Sequence, residues 1–379
     1  MHICCSPLPV SEEISVKKFE NALEHIWQVC NGEDFIQETQ RMRELLTGKP
    51  LVLYGAGTIG DSAARLLTHY HIVVDCFCDK NKSGVRPGSG LPILSPSQMI
   101  AQYPEANIII CSVNYREEII RELARCGIPA KRIFCRDRLH LHEMVYKDFL
   151  PHVEGYRRTY GLLQDNQSKQ VLLERIGRYL TSSPITASEC RKQYFDPEIV
   201  TLDPGEVFVD GGMYTGDTAQ LFVRLCNGRY RHYYGFEPDE QNFLTAEKDL
   251  MGNERFTLVK KGLWSQEGRL SFSGNLSSGS RLDEGGSGEY AEVTALDMFF
   301  QEREAPTFIK MDIEGAEKEA LIGAEQIIRC HKPKLAICVY HKPEDIYVLP
   351  ELINSFREDY RFYLRHYSNT IYETVLYAV

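Results

Sequence analysis

The chain has 379 residues, with 43% hydrophobic and 25% charged side chains and a formal net charge of −10. That length suggests two or three domains with ordinary cores, and the acidic balance, without a Lys/Arg block, argues against a nucleic-acid backbone as the main partner. The 12 cysteines are scattered, with no C-x-x-C pair and no zinc spacing, so reduced thiols in a cytoplasm are expected rather than a disulfide framework; no signal peptide or membrane span is read.

Apolar residues at helical spacing (Phe19, Leu23, Ile26, Trp27, then Phe35 and Met42/Leu45/Leu46) predict helices over residues 11–47, interrupted at Asn31-Gly32. Leu51–Tyr54 reads as a strand running into Gly55-Ala56-Gly57-Thr58-Ile59-Gly60 and a helix, which is G-x-G-x-x-G in strand–turn–helix context. Residues 72–78 read as the next strand. Asp79 at its end stands about 20 residues past the last glycine, where a ribose-binding acid is expected. With strands at Ile108–Cys111 and Ile133-Phe134, residues 49–140 make a Rossmann-like nucleotide-binding domain, preceded by a helical segment, 1–48. The glycines alone demand only a tight turn and close packing. A bound nucleotide or nucleotide-sugar, a dinucleotide-dependent oxidoreductase or epimerase, and a scaffold for a homodimer all stay open for this half.

Residues 141–200 read as a helical connector whose aromatics (Tyr156, Tyr160) line a core or a seam. The C-terminal domain, 201–379, opens with the strand Val207–Val209, Asp210 at its tip, the turn Gly211-Gly212-Met213-Tyr214-Thr215-Gly216 and a helix from Thr215 to Leu225. The next strand ends in Glu237, about 20 residues past Gly216. Phe256–Val259, Thr307–Met311 and Lys334–Tyr340 follow as strands, then a terminal hairpin, residues 361–377, that adds one antiparallel strand. Alternating β and α elements imply a parallel sheet. Both halves are therefore expected to be α/β and Rossmann-like. The Gly/Ser-rich stretch 273–288 reads either as a surface insertion or as a loop over the ligand, with Ser280 and Arg281 as donors.

Chemistry is expected at the strand tips. Asp210 precedes its glycines, and a carboxylate there repels a pyrophosphate but suits a ligand that carries an ammonium; Glu237 can accept both hydroxyls of a ribose. Leu263 and Trp264, after the third strand, join Gly211, Gly212, Tyr214 and Gly216 in the expected cofactor set. In Thr307–Glu317 the strand delivers Asp312 and Glu314 to a helix predicted over Ala316–Arg329; these acids are either helix-capping residues or catalytic ones. His341, just past the fifth strand, has the right pKa class for a general base. Asp312 with Glu314 or Asp345 offers a divalent-cation site instead, but no dense carboxylate set is visible and no metal is expected.

Val207–Thr218, Tyr234–Asp239, Val293–Asp297 and Thr307–Ala324 resemble the FkbM family of methyltransferases, most specifically in Ile309-Lys310-Met311-Asp312-Ile313-Glu314-Gly315-Ala316-Glu317. The resemblance covers roughly residues 190–379. It implies a class I, seven-stranded fold, S-adenosylmethionine as methyl donor, and O-methylation of a sugar, glycan or natural-product hydroxyl, with Asp312, Glu314 and His341 as catalytic candidates. Gly211-Gly212-Met213-Tyr214 departs from the family's usual Gly-Ala-x-x. The N-terminal half is similar to Rossmann-like modules found beside sugar-modifying enzymes.

Overall fold

In the strand Leu51–Tyr54 (β1) every residue is buried, because its two faces pack on different cores. Leu51 and Leu53 meet Met42, Leu46, Ala63 and Leu67, while Val52 and Tyr54 meet Met99, Ile119 and Leu123. A strand covered by helices on both faces belongs in the middle of a parallel sheet. The computed structural model describes residues 10–30, 33–87, 89–112, 115–136, 149–181, 185–188, 190, 192–273, 281–283, 289–368 and 371–379. It divides into two units, one made of residues 23–146 with 177–183 and the other of residues 1–22, 147–176 and 184–379.

The first unit is a six-stranded sheet of β1, β2 (Cys76–Cys78), β3 (Gly84–Val85), β4 (Pro92–Leu94), β5 (Asn107–Ile110) and β6 (Ile133–Cys135), ordered β3-β4-β2-β1-β5-β6. All pairings are parallel except β3 with β4. The strand expected over residues 72–78 is shorter than its apolar run: residues 72–75 lie outside β2, and Asp75 turns its carboxylate to the N–H of Leu51 (2.7 Å).

The second unit holds a seven-stranded sheet of β7 (Val207–Gly211), β8 (His232–Phe236), β9 (Phe256–Val259), β14 (Phe308–Met311), β15 (Lys334–Cys338), β16 (Phe362–His366) and β17 (Thr374–Ala378), ordered β16-β17-β15-β14-β7-β8-β9. β17 runs antiparallel to both its neighbours and the rest are parallel. The order reverses between β7 and β14, the switch point at which open α/β sheets bind ligands. Phe195, Phe208, Phe222, Tyr233 and Phe308 pack into one aromatic core against this sheet. The helices Val153–Leu162 and Asn166–Thr181 fall where a separate connector was expected. Residues 147–176, however, cluster with the C-terminal sheet: Gly155 lets the ring of Tyr347 pack against it, and the Arg365 guanidinium pairs with Asp165.

Two differences from the sequence reading have physical causes. β10 (Gly262–Leu263), β11 (Gly268–Ser273), β12 (Arg281–Asp283) and β13 (Glu289–Thr294) form a further small sheet, ordered β10-β13-β11-β12. Its pairings are long-range and leave little local signal. The helix predicted over Ala316–Arg329 is two helices, Glu317–Ile322 and Glu325–His331. The break sits at Gly323, where the carbonyl oxygen of Trp264 would lie 2.1 Å from an added Cβ. Asp297, borne on the neighbouring helix Leu296–Phe299, restarts the ladder by accepting from the N–H groups of Gln326 and Ile327, both at 2.9 Å. Residues 274–280 and 284–288, with Ser280, lie outside the described residues. No described helix is long and apolar enough to cross a membrane.

Candidate active site

β7 ends in the glycine turn, and the turn is shaped by what crowds it. Gly212 adopts φ +72°, and a Cβ there would come within 2.0 Å of the Asp312 carbonyl oxygen; only glycine fits both conditions. Gly211 lies against Leu263, which is buried. The N–H groups of Gly212 and Met213 both donate to the Phe236 carbonyl, tying the turn to the tip of β8. Gly216, also left-handed, starts the helix Asp217–Leu225 without a side-chain cap, so the first N–H groups of that helix have no side-chain acceptor from the capping position.

Asp210 is fully buried, and the structure corrects its expected role. One carboxylate oxygen accepts from Lys310 Nζ (2.8 Å) and the other from the Tyr233 hydroxyl (2.8 Å). The parallel register sets Lys310 directly beside Asp210, and Nζ also donates to the carbonyls of Gly211 (3.1 Å) and Gly212 (2.7 Å). A carboxylate so enclosed does not receive a ligand's ammonium directly; it anchors the lysine that holds the carbonyl side of the turn.

Glu237 follows β8 and is nearly buried. Its oxygens accept the N–H groups of Tyr214 (3.1 Å) and Asp239 (2.9 Å). Burial pushes its carboxyl up to about 7, against the opposing pull of those two N–H donors. Each oxygen keeps a second acceptor position for a hydroxyl. Tyr214 itself is a non-glycine residue at φ 50° and is exposed. Trp264 acts through its backbone: its N–H donates to Thr294, and its carbonyl faces Gly323.

The acids of β14 gather a second constellation. Asp312 does not cap a helix; Ala316 occupies the N-cap of Glu317–Ile322. Its carboxylate accepts from the hydroxyls of Tyr194 (2.7 Å) and Tyr340 (2.9 Å). Burial works against its charge, but His341, Lys310 and the two tyrosines prevail and hold its carboxyl below the usual range. The His341 ring has Nδ1 3.0 Å from Glu317, with Nε2 3.5 Å from both Asp312 and Glu314. Burial favours its neutral form, yet these carboxylates outweigh it and raise it to about 10. Such a shift argues against His341 as general base, since an imidazole that keeps its proton near neutrality has no lone pair to offer. Glu314 differs from both. It stands at φ 57°, its side chain is about one-third exposed (32%), and burial raises its carboxyl to about 7. Strained backbone at a non-glycine residue clusters at functional sites.

In the other unit, the structure brings Gly55, Gly57, Gly60 and Asp79 together. Gly55 and Gly60 are needed for packing, against the Cys111 carbonyl and the Gly55 carbonyl respectively; an added Cβ on Gly57 meets nothing within 4 Å. One Asp79 oxygen accepts from the Ala56 N–H (2.9 Å) and the other from the N–H groups of Asn81 and Lys82 (2.9 and 3.2 Å). The acid expected to hold a ribose thus closes its own loop instead.

Tyr194, Tyr340, Lys310 and Glu317 were not among the expected site residues. Lys310 carried a signal, a lysine inside an apolar strand, which must find a partner when buried. The tyrosines carried none.

Residues 210–365 match the family model described as Methyltransferase FkbM domain. No curated protein matches the chain. Among solved structures, the chain is similar to a methyltransferase FkbM from Methylobacillus flagellatus KT, with 22% identity, TM-score 0.62, and 94% of this chain and 99% of that one covered. Lower-scoring matches include an rRNA methylase from Streptococcus thermophilus (19% identity, TM-score 0.31, covering 47% of this chain and 87% of that one). Fibrillarin from Aeropyrum pernix with natively bound S-adenosyl-L-methionine also matches (11% identity, TM-score 0.31, covering 48% and 70%). The matched segment runs from Asp210 through the acids of β14 into β16, so residues 210–365 of the chain are an FkbM methyltransferase domain, the domain of an S-adenosylmethionine-dependent methyltransferase.

Proposed function

We propose that this enzyme methylates a hydroxyl of a sugar, glycan or natural-product acceptor, with the donor held by the Gly211–Gly216 turn and Glu237 and the hydroxyl received beside Glu314. The observation that carries this reading is the contact between Gly212 and the Asp312 carbonyl, which sets the donor turn against the acidic tip of β14. Transfer forms a bond between the acceptor oxygen and the methyl carbon and breaks the bond from that carbon to sulfur; the hydroxyl proton passes to Glu314. Asp312, held ionised by His341, Lys310 and two tyrosines, orients rather than accepts. Alignment of the hydroxyl with the S–CH3 bond is the larger part of such catalysis.

The glycine turn of the other unit supports a second ligand, a nucleotide or nucleotide-sugar. Gly57 opens the helix Thr58–His69, which has no side-chain cap, and Lys82 Nζ reaches the Ala56 carbonyl (3.2 Å). A phosphate at a helix N-terminus is favoured by its free N–H groups.

The test is methyl transfer from radiolabelled S-adenosylmethionine to a panel of sugars and nucleotide-sugars, with product analysis of the linkage. Transfer to nitrogen or carbon in preference to oxygen would overturn the O-methylation reading. Calorimetry with nucleotides and nucleotide-sugars tests the second ligand; no heat from any of them removes it.

A further inference from the structure

The methyl-transfer reading leaves two buried groups unused. Both ring nitrogens of His341 and the Oε2 of Glu317 have no hydrogen-bond partner among the described residues. Glu317 is fully buried and the His341 side chain is 8% exposed. Glu317 holds its other oxygen in place by accepting from the Ile313 N–H (2.9 Å). The 3.0 Å approach of Nδ1 to Glu317 is close, but it is not aligned as a hydrogen bond. An unsatisfied buried acceptor is costly in a native protein, and such atoms call for an ion or another partner.

The charge balance points the same way. Asp312, Glu314, Glu317 and Asp345 converge on His341, while of the lysines beside them Lys310 is committed to Asp210 and Lys342 donates its Nζ to the Gly315 carbonyl. One ligand atom from each of Asp312, Glu317 and His341 lies within 4.8 Å of the other two. Ligands around a first-row ion at about 2.1 Å stand roughly 3 Å apart, so small side-chain movements close this set.

We infer that Asp312, Glu317 and His341 form a binding site for one divalent cation at the tips of β14 and β15, the ion taking the place of the proton that the carboxylates otherwise hold on the imidazole. Two carboxylates and one imidazole suit a borderline ion such as Mn2+ or Zn2+ better than a purely oxygen-seeking one. Asp312, 22% exposed, is the ligand through which the ion would meet solvent or an acceptor hydroxyl; only that last role rests on the methyl-transfer reading.

The full chain, stripped with a chelator and dialysed, is titrated with Mn2+ while free ion is followed by electron paramagnetic resonance, and with Zn2+ against a chromophoric chelator. Donor binding is measured on the same samples by calorimetry. One equivalent of at least one ion is expected per chain, weakened by at least about tenfold in Glu317→Gln and in His341→Gln, with donor affinity kept. Glu317→Gln is isosteric, so it carries the test if His341→Gln does not fold. No saturable binding of either ion to the folded wild type, or binding that Glu317→Gln leaves unchanged, overturns the site. Cation binding without donor binding would keep this inference and remove the methyl-transfer reading; donor binding without cation binding would do the reverse.

Discussion

Lys310 Nζ and Asp210 Oδ1 lie 2.8 Å apart with both side chains sealed from solvent. The pair spans the two central strands and also grips the carbonyls of the glycine turn. Burial alone favours the neutral amine, but Asp210 and Asp312 outweigh it and hold the lysine charged. Removing one member leaves the other buried and unpaired, which costs about 3–5 kcal/mol. Lys310→Met is therefore expected to lower unfolding stability by that order in urea denaturation. The double variant Lys310→Met/Asp210→Asn should recover most of the loss, because no uncompensated charge remains. A double variant as unstable as the sum of the singles would show that the pair is not the unit described.

The two glycine turns predict opposite responses to the same substitution. Gly212→Ala must place a methyl group 2.0 Å from the Asp312 carbonyl at φ +72°; a left-handed alanine alone costs about 1–2 kcal/mol, and the contact adds to it. Donor affinity and thermal stability should both fall. Gly57→Ala meets nothing within 4 Å, so the protein should fold with unchanged stability and lose affinity only for a ligand that approaches that backbone. Calorimetry and thermal melts on the two variants check both statements, and a destabilised Gly57→Ala would contradict the geometry of the first turn.

What the sequence revealed, and what it did not, follows the range of the interactions. Glu237 was legible because its distance from the glycine turn is set within one βαβ unit, and it lands on the Tyr214 N–H. The acids of β14 were legible as a strand-tip motif. The hydroxyl of Tyr194 on Asp312 was not: the two are separated by 118 residues, and no local pattern encodes such a contact. The protonation of His341 was missed for the same reason. The residue type was plain, but its charge is decided by Glu317 and Asp312, which only the adjacency of β14 and β15 brings to it. The break at Gly323 likewise depends on a carbonyl from β10's flank, not on the helix's own sequence.

With Glu237 holding the donor as proposed, donor binding should depend on pH. Its carboxyl is raised to about 7, so lowering the pH from 8 to 6 protonates it and removes one of the acceptor positions that a ribose diol needs. A ligand that binds the ionised form gains affinity as pH rises to about 7 and no further. S-adenosylmethionine affinity, measured by calorimetry from pH 6 to 8, should rise and then level, while Glu237→Gln should be weaker by about 10–100-fold, the range of a hydrogen bond to a charged group, and flat over the same interval. A pH slope that persists in Glu237→Gln would assign the titration to another group.

The assignment of the proton to Glu314 is tested by separating turnover from binding. Asp312 is bound by two tyrosine hydroxyls and held ionised below the usual range, so it is a weak base, and His341 is already protonated. Glu314 has neither restraint. With Glu314 acting as a base on the acceptor side, Glu314→Gln should leave S-adenosylmethionine affinity within about twofold while reducing turnover by about 10²–10⁴-fold, the usual contribution of a positioned base. Glu314→Asp shortens the arm but keeps the carboxylate, and should retain an intermediate rate if proton transfer is the role. His341→Gln removes the positive charge 3.5 Å from Glu314 that draws its carboxyl down, so the pH at which turnover rises should move upward if Glu314 is the titrating base. Full turnover in Glu314→Gln with an acceptor that the wild type methylates would remove Glu314 from the role and return it to Asp312, the partly exposed acid at the same strand tip.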